Sequence, residues 1–267
     1  MVDTSVVIRC GGSPEVLQCI ASIDSPTEVV VAYSGNSGLA QRIQDTGARV
    51  VAVPSGNLSI VSNRGYAACH GSKVIFTDSD TRFGPHCVAR LAEALETVPV
   101  ARAQLRIGVN ASRTTRIVAR ARGFVNSLPL AFTPGLGLRR DIIPTVGGIV
   151  FNDPVPYAVD ADLDMRIKRR GIRVEFLQDA WLTHSPVPLR HDVRAAYRIG
   201  RGCRRSMEIW NRIGTFGPLD KWSLKGVKPA ALPELLRREG AVVLAYQALW
   251  DTAYWFGFYR EGNGART

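Results

Sequence analysis

The chain has 267 residues, enough for one large α/β domain or two small ones. Its 34 Lys and Arg residues against 23 Asp and Glu give a formal charge of +11, which indicates an anionic partner. Nucleic acid, an acidic membrane and a phosphorylated small molecule all meet that description. Five cysteines without a close pair argue against a disulfide framework and favour a reducing compartment. The first residues lack the pattern of a signal peptide, so we expect a cytoplasmic protein.

Apolar runs alternate with helical patterns over the first hundred residues. Helices are predicted to begin near residues 13, 59 and 85, and a short one is predicted after the break at 35–38; strands are predicted at 6–8, 28–32, 49–53 and 73–77. Strands that alternate with helices over short connections predict a parallel sheet with helices on both faces. Ligands of such sheets bind beyond the carboxyl ends of the strands.

Asp78 and Asp80 directly follow the fourth predicted strand. Extended backbone places these two carboxylates on one side and Ser79 on the other. Neighbouring carboxylates repel each other unless a cation lies between them, and Mg²⁺ or Mn²⁺ prefers oxygen ligands. The alternative is that Asp78 caps a turn and Asp80 is solvated. Their position at a strand end favours the metal interpretation.

The middle of the chain is basic, with no Asp or Glu from residue 97 to residue 140. A helix over 110–122 would place Arg113, Arg116 and Arg120 on one face. That face is either solvated or receives an anionic substrate or membrane. The Pro- and Gly-rich stretch 132–137 is predicted to be a loop.

A second acidic cluster, Asp160, Asp162 and Asp164, begins a predicted helix that runs to about residue 170. Helix capping explains acids at this position, and the helix N-terminus also favours an ionised carboxylate there. Strands are predicted at 173–177 and 180–184. The second of them ends in His184, which is either structural or completes the coordination shell of a cation.

A series of motifs in one order resembles the family 2 glycosyltransferases of the GT-A fold. The motifs cover about residues 5 to 205 and lie at 6–8, 17–23, 63–71, 76–80, 135–140, 147–148, 160–167, 183–184 and 197–202. The resemblance implies an α/β, Rossmann-like GT-A fold with a mostly parallel central sheet, helices on both faces and a helical C-terminal segment. It implies a catalytic domain over 1–205, with a nucleotide-sugar half at 1–98 and an acceptor half at 99–205, and a helical extension over 206–267.

The same resemblance implies an inverting, metal-dependent transfer of a hexose or pentose from a nucleotide-diphosphate donor to an acceptor hydroxyl or related nucleophile. Asp160 is the implied catalytic base. Asp78, Asp80 and His184 are the implied ligands of Mn²⁺ or Mg²⁺. The implied donor-binding residues are Asp78, Ser79, Asp80, Tyr33, Asn63, Arg198 and Arg201.

The chain departs from the family pattern at three places. Val159-Asp160 stands where the family commonly has Glu-Asp, and Arg9-Cys10-Gly11-Gly12 replaces a Pro-containing turn. Tyr33-Ser34 stands where paired aspartates commonly read the base. These two residues offer no carboxylate to a uracil, and Tyr33 is the candidate to stack on a base.

Two other classes of protein compete with a glycosyltransferase. A sugar nucleotidyltransferase also needs paired acids on a parallel sheet, but the only candidate phosphate loop is the weak one at 9–12. A nucleic-acid-binding protein is suggested by the positive charge alone, and the sequence holds no known nucleic-acid motif. We therefore expect no nucleic-acid partner.

The segment 241–259 is mostly apolar and ends in a group of aromatic residues. It is barely long enough to span a membrane. It either lies in the headgroup region of a membrane or packs on the catalytic domain or on a second subunit, and the packed alternative is favoured. Membrane contact, at the inner face of the membrane, would favour a lipid-linked acceptor. Packing would favour a small molecule or a peptide.

Overall fold

One mixed sheet runs through the computed structural model, which describes residues 3–54, 56–212 and 227–264. In chain order its strands are β1 (Thr4–Cys10), β2 (Glu28–Tyr33), β3 (Arg49–Ala52), β4 (Lys73–Asp78), β5 (Thr81–Phe83), β6 (Val100–Ile107), β7 (Leu136–Arg139) and β8 (Glu175–His184). They lie in the order β3-β2-β1-β4-β7-β6-β8-β5. The pairs among β1 to β4 are parallel, as is β6 with β8, and the other pairs are antiparallel.

Helices cover both faces of this sheet. They are α1 (Val16–Ala21), α2 (Ser37–Gln44), α3 (Leu58–Ala68), α4 (Cys87–Thr97), α5 (Arg113–Asn126), α6 (Val159–Arg169), α7 (Leu189–Arg212), α8 (Leu232–Glu239) and α9 (Ala241–Gly264). Alternation along β1 sends Val6 and Ile8 into one core, which α1, α2 and α4 complete. Val7 enters a second core on the opposite face, which α6 completes. The predicted α/β architecture is confirmed.

The prediction of a loop over 132–137 is wrong at its end, because Leu136–Arg139 forms β7 between β4 and β6. Gly137 suits this strand because a Cβ there would lie only 2.9 Å from Leu95 Cδ1. The glycine therefore permits close packing against α4 and does not mark a turn. The two strands predicted over 173–184 form one strand, β8, whose pairing with β6 is irregular between Ala103 and Gln104.

The C-terminal helices pack on the rest of the chain through a third apolar cluster. The inner face of α9 buries Trp250, Tyr254 and Phe258 against residues of α5 and α7. A Cβ on Gly200 of α7 would lie 2.0 Å from the backbone oxygen of Tyr254, so this glycine permits the close approach of α7 and α9. Within the described residues, no helix is both long and apolar enough to cross a membrane.

The boundary expected at residue 205 falls inside the continuous helix α7. Two parts of the predicted helical extension, 213–226 and 265–267, lie outside the described residues.

Candidate active site

A buried arginine holds the first of the paired aspartates. Arg9 and Asp78 lie opposite each other on the neighbouring parallel strands β1 and β4. Arg9 Nε donates to Asp78 Oδ1 at 2.7 Å, and Arg9 Nη2 donates to Asp78 Oδ2 at 2.9 Å. Arg9 is only 7% exposed. This two-pronged, charge-assisted contact fixes both side chains, and it engages both oxygens of the Asp78 carboxylate.

The second aspartate pairs with the predicted histidine. Antiparallel pairing of β5 with β8 sets Thr81 opposite His184, and His184 Nε2 lies 3.1 Å from Asp80 Oδ2. The other ring nitrogen, Nδ1, lies 2.7 Å from the backbone oxygen of Ser185 and donates to it. Burial acts against the imidazolium, but the hydrogen bond to Asp80 and its charge raise the pKa of His184 to about 9. Burial likewise opposes ionisation of Asp80, yet His184 holds the pKa of this carboxyl below its ordinary value.

The three predicted ligands of a divalent cation differ in their present partners. Asp80 Oδ1 is buried and has no hydrogen-bond partner among the described residues. A buried carboxylate oxygen without a partner is costly, and a cation would satisfy it. Asp80 and His184 therefore fit a divalent ion, whereas Asp78 is held by Arg9. Across 3–54, 56–212 and 227–264, no three His, Cys, Asp or Glu side chains form a group that could hold a metal.

Asp160 lies in the first turn of α6, close to the segment that precedes β7. Its Oδ1 accepts from the backbone N–H of Ala161 at 2.9 Å, and its Oδ2 lies 3.3 Å from the backbone nitrogen of Thr133. The Thr133 hydroxyl accepts from Arg9 Nη2 at 2.9 Å and donates to Asp160 Oδ2 at 3.4 Å. Asp78, Arg9, Thr133 and Asp160 thus form one hydrogen-bonded chain.

Two opposing effects act on the Asp160 carboxyl. Burial raises its pKa, and the charge of Arg9 lowers it, with burial the larger effect. A carboxylate with a raised pKa is a stronger base than an ordinary one, provided that the pH keeps it ionised.

The other two acids of the cluster have structural partners. Asp164 accepts from the backbone N–H of Ala131 at 2.7 Å. Asp162 is fully buried and accepts from Arg166 Nε at 3.0 Å and from Trp210 Nε1 at 2.6 Å. Asp160 is therefore the member of this cluster that joins the network of Asp78 and Arg9.

A cavity of about 300 Å³ opens at the carboxyl ends of β1, β2 and β4. Three predicted residues, Asp78, Ser79 and Asp80, line it together with residues of the β1 end and of the segment that begins α3. The full lining is Arg9, Cys10, Gly11, Ser34, Gly56, Asn57, Leu58, Val61, Asp78, Ser79, Asp80 and Tyr157. The two acids lie on one side of the cavity, and the first residues of α3 lie on the other. A cavity of this size and lining suits a polar ligand.

Tyr33 does not offer the base-stacking face that its sequence position suggested. The side chain is 4% exposed, its ring packs in the core, and its hydroxyl donates to the backbone oxygen of Asn36 at 3.0 Å. Gly35 leaves room for it, because a Cβ there would lie 2.2 Å from Tyr33 Oη.

Asn63 also points elsewhere, because its amide binds the segment after Gly148. Asn63 Nδ2 donates to the backbone oxygen of Phe151 and to Asp153 Oδ1, both at 2.7 Å, and Asn63 Oδ1 accepts from the Phe151 N–H at 3.1 Å. These contacts hold the 151–153 segment on α3. In this structure Asn63 is thus not among the residues that line the cavity.

Arg198 and Arg201 are both exposed on α7, and the described cavity lining includes neither. Arg198 contacts a residue that lines the cavity: its guanidinium carbon lies 5.8 Å from the ring centroid of Tyr157.

Sequence reasoning missed Arg9, Thr133 and Tyr157 as site residues. For Arg9 a signal was present: a charged residue near the end of an apolar strand is costly to bury unless an opposite charge meets it. Thr133 and Tyr157 lie outside regular elements, in stretches that carry no periodic pattern.

The sheet order and the paired acids at the end of β4 define a chain of the GT-A fold, and comparison with solved structures confirms this fold. The mannosyltransferase PcManGT from Pyrobaculum calidifontis, in complex with GDP-Man and Mn²⁺, aligns with a TM-score of 0.62 at 17% identity over 99% of this chain and 88% of that one. S. aureus TarS aligns with a TM-score of 0.53 at 16% identity over 97% of this chain, which spans 55% of the length of TarS. A 1–349 fragment of TarS in complex with UDP-GlcNAc aligns with a TM-score of 0.52 at 16% identity over 98% of this chain and 92% of the fragment. No family model and no curated protein sequence matches the chain.

Proposed function

We propose that the chain is a glycosyltransferase that moves a sugar from a nucleotide-diphosphate donor to an acceptor hydroxyl or related nucleophile, with inversion. The observation that carries this proposal is the chain of contacts from Asp78 through Arg9 and Thr133 to Asp160, beside a cavity at the carboxyl ends of parallel strands. It joins the acidic donor side of the site to the half-buried carboxylate of Asp160. The fold shared with structures that hold GDP-Man or UDP-GlcNAc supports the same reaction class.

The donor diphosphate is assigned to the cavity beside Asp78, Ser79 and Asp80. Asp80 and His184 would hold a divalent ion, Mn²⁺ or Mg²⁺, because one oxygen of Asp80 is buried without a partner and His184 Nε2 faces the other. When bound there, such an ion supplies neutralisation of the charge on the diphosphate. Arg9 adds a fixed positive charge from the protein side and keeps Asp78 in place.

Asp160 is assigned as the general base. Its Oδ1 is held by the Ala161 N–H and its Oδ2 by Thr133, so the carboxylate is oriented before an acceptor arrives. It would take the acceptor's proton at one of these oxygens while the nucleophile attacks the sugar from the face opposite the diphosphate. General-base catalysis of this kind contributes about 10²–10⁴-fold.

The residues proposed to bind the donor and the residue proposed to act on the acceptor come from different halves of the chain. The donor residues Asp78 to Asp80 come from 1–98 and the base from 99–205, which supports a nucleotide-sugar half and an acceptor half. The acceptor itself is a small molecule, a peptide or a lipid-linked molecule. The base of the donor is unassigned, because the Tyr33 ring is buried and the ligands of the similar structures differ in their base.

The proposal is tested by a thermal-shift panel of nucleoside diphosphates on the full chain, with and without Mn²⁺. One base should raise the melting temperature in a metal-dependent manner, because a ligand that binds only the folded state stabilises it by mass action. The nucleotide sugar of that base should then release nucleoside diphosphate in the presence of an acceptor extract. If no nucleoside diphosphate stabilises the chain with or without metal, the proposed function is wrong.

A further inference from the structure

Over residues 189–210 the exposed side chains of α7 are basic, and none is acidic. Between Leu189 and Arg205 they are Arg190, His191, Arg194, Arg198, Arg201 and Arg205. Helical spacing places them on a single stripe along the helix. We call these five arginines the arginine stripe. Among the described residues, Arg190 and Arg194 make no ion pair within the chain, so their charges are available to a partner.

The outer face of α9 is apolar over a similar length. Val242, Leu249, Phe256 and Tyr259 are 64%, 48%, 60% and 52% exposed, and the exposed residues between them are alanines and a threonine. These residues repeat every three or four positions and form a single apolar stripe. At a rise of 1.5 Å per residue it extends over about 26 Å. No charged side chain is exposed on it before Arg260.

The inner face of α9 is apolar as well, and it also holds one buried polar side chain, that of Gln247. Gln247 is 1% exposed and accepts from Arg122 Nη2 at 2.9 Å. Its amide nitrogen donates to Asp251 Oδ1 at 2.8 Å. A helix that already buries one apolar face against its own chain and exposes a second apolar face is suited to a partner on the outer side.

The two stripes meet on one surface. A groove of about 430 Å³ between α7 and α9 is lined by Val193, Arg194, Tyr197, Arg198, Ala253 and Phe256. Tyr197 and Phe256 pack with ring centroids 5.9 Å apart. Guanidinium groups and an exposed aromatic ring therefore lie side by side. Arg198 also contacts Tyr157, which lines the candidate active site, so this surface adjoins that site.

We propose that the arginine stripe and the apolar stripe together dock the chain on an anionic lipid surface, with α9 lying in the headgroup region. An acidic bilayer supplies both negative charge for the arginines and an apolar layer for Phe256 and Leu249. A second copy of the chain fits less well. The outer faces of α7 over 189–210 and of α9 over 241–260 expose no Asp or Glu that could pair with the arginine stripe of that copy.

The test is flotation of the full-length chain with lipid vesicles, without donor or metal. Vesicles of phosphatidylcholine containing about 30% phosphatidylglycerol should carry the chain to the top of the gradient, and phosphatidylcholine alone should not. Added salt should weaken the binding, because it screens the arginine stripe. Since no catalysis is measured, a failed glycosyltransferase assay and a failed docking test are separate results.

Two double variants test the two stripes. Arg190→Glu with Arg194→Glu should weaken binding to anionic vesicles roughly tenfold or more. Its matched control is Arg42→Glu with Arg64→Glu, which removes the same charge from exposed positions of α2 and α3 and should bind as the unaltered chain does. Leu249→Ser with Phe256→Ser should also lose binding, and the matched control is Val109→Ser with Ile149→Ser at exposed apolar positions far along the chain.

Thermal melts check that every variant folds, and Arg190→Gln with Arg194→Gln replaces the charge reversal if that one does not. The docking proposal is overturned if the unaltered chain stays at the bottom with anionic vesicles. It is also overturned if the control variants lose binding as strongly as the stripe variants. A third contrary result is a dimer in light scattering that Leu249→Ser with Phe256→Ser converts to a monomer, since a second copy would then cover α9.

Discussion

Two acidic clusters in this chain share a spacing and differ in what the backbone does with it. In the first, Asp78 ends strand β4 and Asp80 lies in the turn that follows it, and both residues line the same cavity. In the second, Asp160, Asp162 and Asp164 lie on helix α6, where residues two apart point to opposite sides. Asp160 and Asp164 both hold the segment 131–133, and Asp162 faces away into α7. The same spacing of acids therefore yields a pair of site residues at the end of a strand and a single site residue on a helix.

The largest expected effect is on catalysis and comes from Asp160, the site residue of the helical cluster. Asp160→Asn should lower the turnover number about 10²–10⁴-fold, because an amide cannot take the acceptor's proton. Donor affinity should be unchanged, since the contacts of Asp160 run to Ala161 and Thr133 and the described cavity lining does not include it. Steady-state kinetics give the first quantity and calorimetry with the donor gives the second. An Asp160→Asn enzyme with full activity would remove the assignment of the base.

The second effect is a loss of folding stability and concerns Asp162, the acid that faces α7. Asp162→Asn should destabilise the fold by about 3–5 kcal/mol, because it leaves the buried Arg166 guanidinium without its counter-charge. Denaturant unfolding measures this free energy. The matched control is Asp164→Asn, whose lysine partner is 42% exposed and can turn to solvent, with an expected loss of about 1 kcal/mol or less. Equal losses for both variants would contradict the division drawn between these two acids.

The third effect separates the two acids of the strand cluster. Asp80→Asn should lower the metal-dependent affinity for the donor by roughly 10–100-fold, since it removes the carboxylate proposed to hold the cation with His184. Asp78→Asn should lower it less, because both oxygens of Asp78 already bind Arg9. Calorimetry with nucleoside diphosphate, with and without Mn²⁺, compares the two. A larger loss for Asp78→Asn would show that Asp78 leaves Arg9 and binds the metal.

The parts of the fold that follow from local pattern could be predicted, and the parts that depend on distant neighbours could not. The alternation of apolar strands and helices up to β4 placed Asp78 and Asp80 at a strand end, and the structure has them there. Tyr33 is buried in a core whose other members come from distant elements such as α1, α2 and β4, and β7 forms because two other strands lie on either side of it. Neither cause is visible within a short window of sequence.

The candidate site also has a part that could be predicted from local sequence and a part that could not. Its acids could be named from sequence, but their partners could not. Arg9 reaches Thr133 across 124 positions of sequence, and that contact is what connects the donor side with Asp160. The pattern of the sequence suggested a metal between Asp78 and Asp80, whereas the structure has an arginine beside one and a histidine beside the other.

The last effect is a pH dependence of metal binding, which changes gradually with pH and concerns Asp80 and His184. With its pKa raised to about 9, His184 is protonated in about 99 of 100 metal-free molecules at pH 7. A metal needs the neutral ring, so protons and metal compete for Nε2. The apparent affinity for Mg²⁺ should therefore rise with pH, by roughly tenfold per unit, and level off above a pH of about 9.

Calorimetry with Mg²⁺ in the presence of nucleoside diphosphate, over a pH range of about 6.5 to 8.5, measures this rise. Buffers of different ionisation enthalpy should report release of about one proton for each ion bound. The Asp80 carboxyl adds no step in this range because its pKa lies below its ordinary value. His184→Gln should bind the ion more weakly at high pH and show no such rise, because glutamine carries no proton to displace. A rise of the same size in His184→Gln would assign the proton to another group and leave His184 outside the coordination of the metal.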